Sequence, residues 1–523
     1  MKKIMKENKT ILILSLIILL QIAIVLSFAA KKEGYFIDEV LTFSLANREV
    51  TGYFDTPAHS WTDMDWYLRN MAAQNWATFR FDIAYMNQVQ DVSPPLFYML
   101  IHGVCSFFPN QVSHWMGIGL NLIFYVGSTI LLYSLGAKIF KDKKVGLLIA
   151  FLFGITYGAV NSAIFIRMYM QATFMLLAHV SIYVHYLDQE QIKKRGYVLL
   201  AVTAVLGCLT QYYFLIGAAF LGMWYVIKFL CKKRYLDLIK YFVAVGVSAV
   251  SAYLIFPAML RHILKSGRGA AAFEALGENS SYFAHLKEMF RILNTQIFSG
   301  KFWWMILALV IIVVIICLKE KRVLKFEGHE WVPVAIACFG YFFAVTKVAP
   351  YQTDRYIMPT YPLAYFLLIG AAYTLLGKLL DKKKSIVLCL IIFGALSVSQ
   401  LLGAKFHYLY EGYNERNVAQ EHKDENCVVL SDDHGYWYYD IQAFTQYNSF
   451  YWLKETDNAG HIATIKERVE QTGEFVLYVR NTWSLEELET FWAKNFGQEW
   501  TYDLYENCNT ERYIVYHCEK SNL

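Results

Sequence analysis

Charge is scarce in this chain. Only 17% of its 523 residues are Asp, Glu, Lys or Arg, where a soluble protein of this size carries about 25%. Nine cysteines are present without any metal-type spacing, which argues against a cysteine-ligated metal module. Six of them lie in or beside apolar runs, where Cys behaves as a small hydrophobe. Only Cys508 and Cys518 in the tail stand where an extracytoplasmic pair could form. No internal repeat and no low-complexity segment is visible. The excess of basic over acidic residues, +5, does not point to nucleic acid, because the Lys and Arg residues lie between apolar runs and report topology.

What the chain does have is hydrophobicity, 56% of its residues. "TILILSLIILLQIAIVLSFAA" (10–30) and "FWWMILALVIIVVIICL" (302–318) meet the roughly 20-residue requirement for a membrane helix. The first run follows "MKKIMKENK", a start like that of a signal peptide. Its apolar part exceeds the roughly 7–15 residues of a signal core, and "FAAKKEG" is a poor cleavage site. It is read as a retained helix.

Ten more spans are expected near 115–137, 145–161, 168–187, 197–211, 213–230, 241–258, 302–318, 332–349, 356–377 and 385–403. Basic clusters separate them at Lys138–Lys144, Lys193–Arg195, Lys228–Arg234, Lys319–Lys325 and Lys378–Lys384. Cytoplasmic loops collect such clusters. With the N-terminus inside, about eleven spans put all of them in the cytoplasm.

The stretch "QDVSPPLFYMLIHGVCSFF" (90–108) tests that count. A full crossing by residues 94–108 would flip every later cluster to the outside. Two prolines suit the first turn of a helix, where a missing N–H costs nothing. The segment is expected to be an interfacial or re-entrant juxtamembrane helix beside a cavity. The expected domains are a transmembrane part, 1–403, and an extracytoplasmic α/β domain, 404–523. The first includes outer loops 31–93 and 259–301. In the second, "CVVLSDD", "EFVLYVR" and "RYIVYHCE" read as strands, and "SLEELETFWAKNFG" (484–497) as a helix opened by a capping box, Ser484 with Glu487.

Four groups of polar residues stand at the outer interface. In "GYFIDEVLTFSLAN" (34–47), Asp38 and Glu39 follow the first span closely. A carboxylate there could act as general base toward an incoming hydroxyl, or merely end the span. Adjacent side chains diverge on a helix, so one of the two is expected to face a reacting centre. Asp91 lies at the other end of the same loop, before Ser93, Pro94, Pro95 and Tyr98. "NSAIFIRMYMQATF" holds Arg167 and Tyr169, and "APYQTDRYIMPTYPLAYF" holds Arg355 and Tyr356. Arginine at the outer face runs against the positive-inside bias. It could grip a phosphate bidentately or snorkel as an anchor. Arg261, Lys265 and Arg268 in "RHILKSGRG" could form a lid over an anionic substrate. Asp38, Glu39 and Asp91 could hold a divalent cation, but no ligand set is complete. His59, His102 and His114 have no ligand spacing and are read as structural.

Taken in order, the Asp-Glu after the first span, the Asp-x-x-Pro-Pro-Leu-x-Tyr element, the Arg-Met-Tyr and the Arg-Tyr-x-x-Pro resemble the GT-C membrane glycosyltransferases. The nearest similarity is to the dolichyl-phosphate-mannose protein mannosyltransferase and aminoarabinose transferase group, over roughly residues 10–400. The resemblance implies a GT-C-like fold with juxtamembrane helices in the first outer loop. It also implies a polyprenyl-phosphate-linked sugar donor, an acceptor in the cell envelope (glycan, lipid or protein), and transfer at the outer face of the plasma membrane. Asp38 would then be the catalytic carboxylate. Many relatives carry His where this chain has Ser93. Single displacement by such parts inverts the anomeric carbon. A surface-polysaccharide polymerase or ligase would use the same chemistry. A lipid-linked sugar transporter or flippase would place charges at mid-membrane and often show internal symmetry, and neither is seen.

Overall fold

The computed structural model describes residues 2–51, 58–187, 189–278, 280–320, 330–409, 415–431, 437–454, 459–505 and 512–521. The chain divides into two compact units. One comprises residues 1–30, 88–100 and 117–406, and the other residues 31–87, 101–116 and 407–523.

The first unit is helical. Among the described residues, seven helices of 18 residues or more are apolar enough to cross a membrane: Asn8–Ala29, His114–Ile139, Phe214–Cys231, Tyr235–Ile255, Phe302–Lys319, Asp354–Leu379 and Lys382–Leu402. The pair Lys143–Gly154 and Tyr157–Ile164 is apolar enough only when taken together, and it is bent by 62°. Three further expected spans are shorter helices: Tyr169–Ile182, Lys194–Thr210 and Val332–Val348. Every expected span is therefore helical. Ile11, Leu19, Val310 and Ile311 are each at least half exposed, as side chains against lipid tails are. The chain is a multi-pass membrane protein with a small C-terminal sheet domain.

The bent pair is braced from the first helix. Gln21, fully buried in the first helix, donates its amide to the carbonyls of Ala150 (2.9 Å) and Phe151 (3.2 Å). Its oxygen accepts from the Thr129 hydroxyl at 3.0 Å. Of the carbonyls left without a helical partner at the break, that of Phe151 accepts from Gln21 and that of Gly154 from the Tyr125 hydroxyl. They are satisfied inside the protein, as an apolar surrounding demands. A Cβ at Gly154 would stand 2.1 Å from the Gln21 amide nitrogen, so only glycine admits this brace.

The helix Leu96–Cys105 has 10 residues, about 15 Å at 1.5 Å per residue. That is about half of the hydrocarbon core. Residues 259–301 are helical too, as Met259–Leu264, Gly267–Gly277 and Tyr282–Phe298.

The second unit is built on a six-stranded sheet: β1 (Trp61–Thr62), β2 (Asn426–Leu430), β3 (Ser449–Leu453), β4 (Glu474–Arg480), β5 (Trp500–Leu504) and β6 (Tyr513–Lys520). The order is β1-β3-β2-β4-β6-β5. β3, β2 and β4 are parallel neighbours, joined through the helices Trp437–Phe444 and Ala459–Thr472, as parallel pairing requires a crossover. The three strands read from the sequence are β2, β4 and β6. The helix Leu485–Asn495 carries the expected capping box of Ser484 and Glu487. Its Leu488, Phe491 and Trp492 pack on Phe475, Leu477 and Trp500 to form the core.

Two features of this unit differ from expectation. The edge strand β1 comes from the first outer loop and pairs Trp61 with Tyr451, so residues 31–87 and 101–116 group with the tail. Cys518 is a buried free thiol whose pKa is pushed well up by burial, and it forms no disulfide. Cys508 lies outside the described residues.

Candidate functional site

The double proline shapes one wall of a cavity in the first unit. Asp91 is buried, and its carboxylate accepts the N–H of Ser93 at 3.2 Å. With its amide turned to donate, Gln88 reaches the same carboxylate at 3.3 Å and the Ser93 carbonyl at 3.1 Å. This Asx-type turn delivers Pro94 and Pro95 to the start of the helix Leu96–Cys105. The Pro95 carbonyl then accepts the Met99 N–H at 3.0 Å. Asp91 thus does the local work of holding the turn.

The opposite wall comes from a helix break. Arg167 lies between the helices Tyr157–Ile164 and Tyr169–Ile182. Carbonyls exposed by the break at Ala163 and Phe165 accept from the Asn121 amide at 3.3 and 2.6 Å. Arg167 is buried, and its guanidinium donates to the Tyr98 hydroxyl at 2.6 Å. The guanidinium carbon also lies 5.6 Å from the Tyr98 ring centroid, within cation–π range.

Between these walls is a cavity of about 330 Å³. Ser93, Pro94, Tyr169, Tyr356, His262 and Arg268 line it. Tyr356 meets Tyr169 edge-on at 6.3 Å and Tyr213 at 5.7 Å. Five residues singled out in the sequence, from segments up to 263 positions apart (Ser93 to Tyr356), therefore share one cavity. Arg167, Tyr98, Pro95, Arg355 and Lys265 are not among its lining residues. Arg167 and Tyr98 stand behind the wall, bonded to each other.

The region expected as a lid is a built clasp. Arg261 donates to the Val89 carbonyl, which His262 Nε2 also approaches at 3.4 Å. Ser266 caps the helix Gly267–Gly277 by accepting the Gly269 N–H at 3.0 Å. A Cβ at Gly269 would stand 2.3 Å from the Ile263 carbonyl oxygen, so glycine is what lets the two short helices close up. Burial lowers the His262 pKa. Its other nitrogen, Nδ1, lies 3.0 Å from the Tyr212 hydroxyl.

Sequence reasoning missed a polar cluster behind Tyr356. The Asp354 carboxylate accepts from Asn161 at 2.9 Å and from Gln296 at 3.3 Å, tying three helices together. The available signal was an acid directly before Arg355, at the start of an apolar run. Arg355 is half-buried, with its guanidinium 5.2 Å from the ring of Tyr356.

Asp38 and Glu39 belong to the second unit, in the first turn of the helix Ile37–Asn47. They diverge as adjacent residues on a helix must. Glu39 is fully buried, 2.8 Å from the Lys32 ammonium, and also accepts the Phe36 N–H at 2.8 Å. Burial lowers the Lys32 pKa, and Glu39 opposes that shift. Lys32 donates to the Tyr408 carbonyl as well. With its carboxylate held in this way, Glu39 is a poor candidate for base or cation ligand. Asp38 is half-exposed, and its carbonyl accepts from the Thr42 hydroxyl at 2.7 Å. His102 is structural as expected, held between the Asn47 side-chain oxygen (3.1 Å) and the Ala77 carbonyl (3.2 Å).

No family model matches the chain, and no curated protein matches it. Solved structures do. ArnT from Cupriavidus metallidurans bound to undecaprenyl phosphate aligns with 11% identity and a TM-score of 0.46, covering 95% of this chain and 97% of ArnT. The same protein in its apo state aligns with 10% identity and a TM-score of 0.47, over the same shares. The archaeal oligosaccharyltransferase AglB from Archaeoglobus fulgidus, in complex with an inhibitory peptide and a dolichol-phosphate, aligns with 12% identity and a TM-score of 0.37. It covers 96% of this chain and 74% of AglB. These neighbours are GT-C glycosyltransferases, the group that the sequence motifs resemble. Superpositions this loose assign no residue a role.

Proposed function

We propose that this protein moves a sugar from a polyprenyl-phosphate carrier to an acceptor hydroxyl at the outer membrane face, with inversion. The N-terminus is cytoplasmic and the tail extracytoplasmic in this reading. The cavity carries the proposal: three motifs recognised separately in the sequence contribute Ser93 and Pro94, Tyr169, and Tyr356 to its wall, and Arg268 adds a cation. A lipid-linked sugar presents its anomeric carbon and its phosphate at headgroup height. Arg268 meets the phosphate, and Arg167 adds positive charge through Tyr98. Phosphate oxygens suit guanidinium donors, and Arg268, exposed at the cavity, is free to meet an incoming phosphate.

Asp38 is the base. As the acceptor oxygen bonds to the anomeric carbon, the bond from that carbon to the phosphate oxygen breaks. Asp38 takes the hydroxyl proton late in this displacement, and polyprenyl phosphate leaves with the electron pair. The proposal names neither the sugar nor the acceptor.

Mass-spectrometric profiling of lipid-linked sugars tests the reading in cells with and without the protein. Accumulation of one polyprenyl-phosphate sugar on deletion, with loss of that sugar from an envelope acceptor, is expected. Accumulation reversed equally by wild type and by Asp38→Asn would speak for transport instead of transfer.

A further inference from the structure

The tail holds a cluster that the transfer reaction does not use. His422, Glu425 and His517 present one ligand atom each within 4.8 Å of one another. His422 and Glu425 lie just before β2. His517 is on β6, opposite Val476 of β4. Glu425 joins the two histidines: Oε1 lies 2.5 Å from His422 Nδ1, and Oε2 lies 3.2 Å from His517 Nε2. All three side chains keep some access to solvent, at 19, 13 and 22% exposed.

His517 carries the argument furthest. Its Nε2 faces Glu425, and its Nδ1 faces Glu519 Oε1 at 3.3 Å. A neutral imidazole has a single N–H and cannot donate to both carboxylates. A cation on the Nε2 side removes the conflict, because Nδ1–H then donates to Glu519. That is the carboxylate–histidine–metal arrangement, in which an outer carboxylate fixes the tautomer and raises ligand basicity.

We propose that His422 Nδ1, His517 Nε2 and one oxygen of Glu425 bind a single zinc ion, with Glu519 as the outer carboxylate. The donor set is two imidazoles and one carboxylate, which suits Zn²⁺ with a fourth position left to water. Bonds of about 2.0–2.2 Å in a tetrahedron put ligand atoms roughly 3.3 Å apart. The three donor atoms already lie within 4.8 Å of one another. His517 Nε2 is 3.2 Å from one Glu425 oxygen, and His422 Nδ1, 2.5 Å from the other, would draw back by about 0.8 Å as the ion enters. The ion clips the start of β2 to β6 across β4, joining segments 92 residues apart.

The test uses the full-length chain in detergent, stripped with a chelator and titrated with zinc chloride against a competing fluorescent chelator at pH 7.5. One equivalent is expected for wild type, none of it for His517→Ala or His422→Asn, and an affinity about 10–100-fold weaker for Glu519→Gln. Zinc should raise the unfolding temperature of wild type and not of His422→Asn. Circular dichroism in excess chelator keeps folding separate, since all variants should match wild type there. Absence of a stoichiometric equivalent in wild type, or the same equivalent in both histidine variants, overturns the proposal. The second result would move the ion elsewhere, and the first would leave the cluster to protons alone.

Discussion

Arg167 donates to the hydroxyl of Tyr98 at 2.6 Å, across 69 residues of sequence, with both side chains buried. One residue sits at a helix break and the other on the helix that follows the double proline. Arg167→Lys keeps the charge and loses the fork. The bond to Tyr98 is charge-assisted and worth about 1.5–3 kcal/mol, so its loss should lower the unfolding temperature. If Arg167 acts on the donor through Tyr98 as proposed, the donor KM should rise as well while the protein still inserts. Tyr98→Phe should move it the same way, by less. Unchanged donor affinity in both would return Arg167 to a plain anchoring role.

Asp38→Asn preserves shape and hydrogen bonding but cannot take a proton. It should be expressed, inserted and able to bind donor, with transfer down about 10²–10⁴-fold. Glu39→Gln should leave transfer per folded molecule nearly intact, because Glu39 faces Lys32. Near wild-type transfer by Asp38→Asn would make Asp91 the next candidate for the base.

Lys32 and Glu39 are an ion pair out of water, at 1 and 0% side-chain exposure. Removing one partner strands the other charge. Lys32→Met should therefore cost about 3–5 kcal/mol, read as a lowered unfolding temperature in detergent. The double replacement Lys32→Met, Glu39→Leu should cost less than either single change. Additive losses would mean that the pair is not coupled.

His262 has its pKa lowered by burial, so the unfolded chain takes up its proton first as pH falls. Stability should drop as the pH passes below about 6.5, the ordinary imidazole value. The advantage of wild type over His262→Gln should shrink between pH 7 and pH 5 in thermal unfolding. A pH-independent difference would show that folded and unfolded chains take up the His262 proton equally, so that burial does not lower its pKa.

Charge parity predicts an extracytoplasmic tail. A reporter fused after Leu523 should be active only in the extracytoplasmic compartment. Cytoplasmic activity would put the span count off by one.

Much of this protein was legible one segment at a time. Membrane class and the positions of the helices in the apolar runs followed from hydropathy, which each run carries by itself. The capping box at Ser484 and the strands β2, β4 and β6 were equally local. β3, "SFYWL", escaped because, although buried on both faces like β2, it lacks the β-branched residues that mark β2, β4 and β6 as strands. Such a strand shows no alternation, and a run of five apolar and small residues has no period to read. β1 escaped because two residues make a strand only when Tyr451 and Phe450 are there to pair with them.

The candidate site divides in the same way. The residue types and the order of the motifs belong to the sequence, because burying charge costs so much that arginines and acids beside apolar spans stand out. Which of those residues meet was decided by the tertiary structure. Glu39 turned inward because Lys32 was there to neutralise it. Arg167 came to lie behind the cavity wall with Tyr98, and Asp354 joined Asn161 and Gln296. Hydropathy sums over neighbours in sequence. A hydrogen bond or ion pair needs two groups within about 3 Å, and only the folded chain sets that distance.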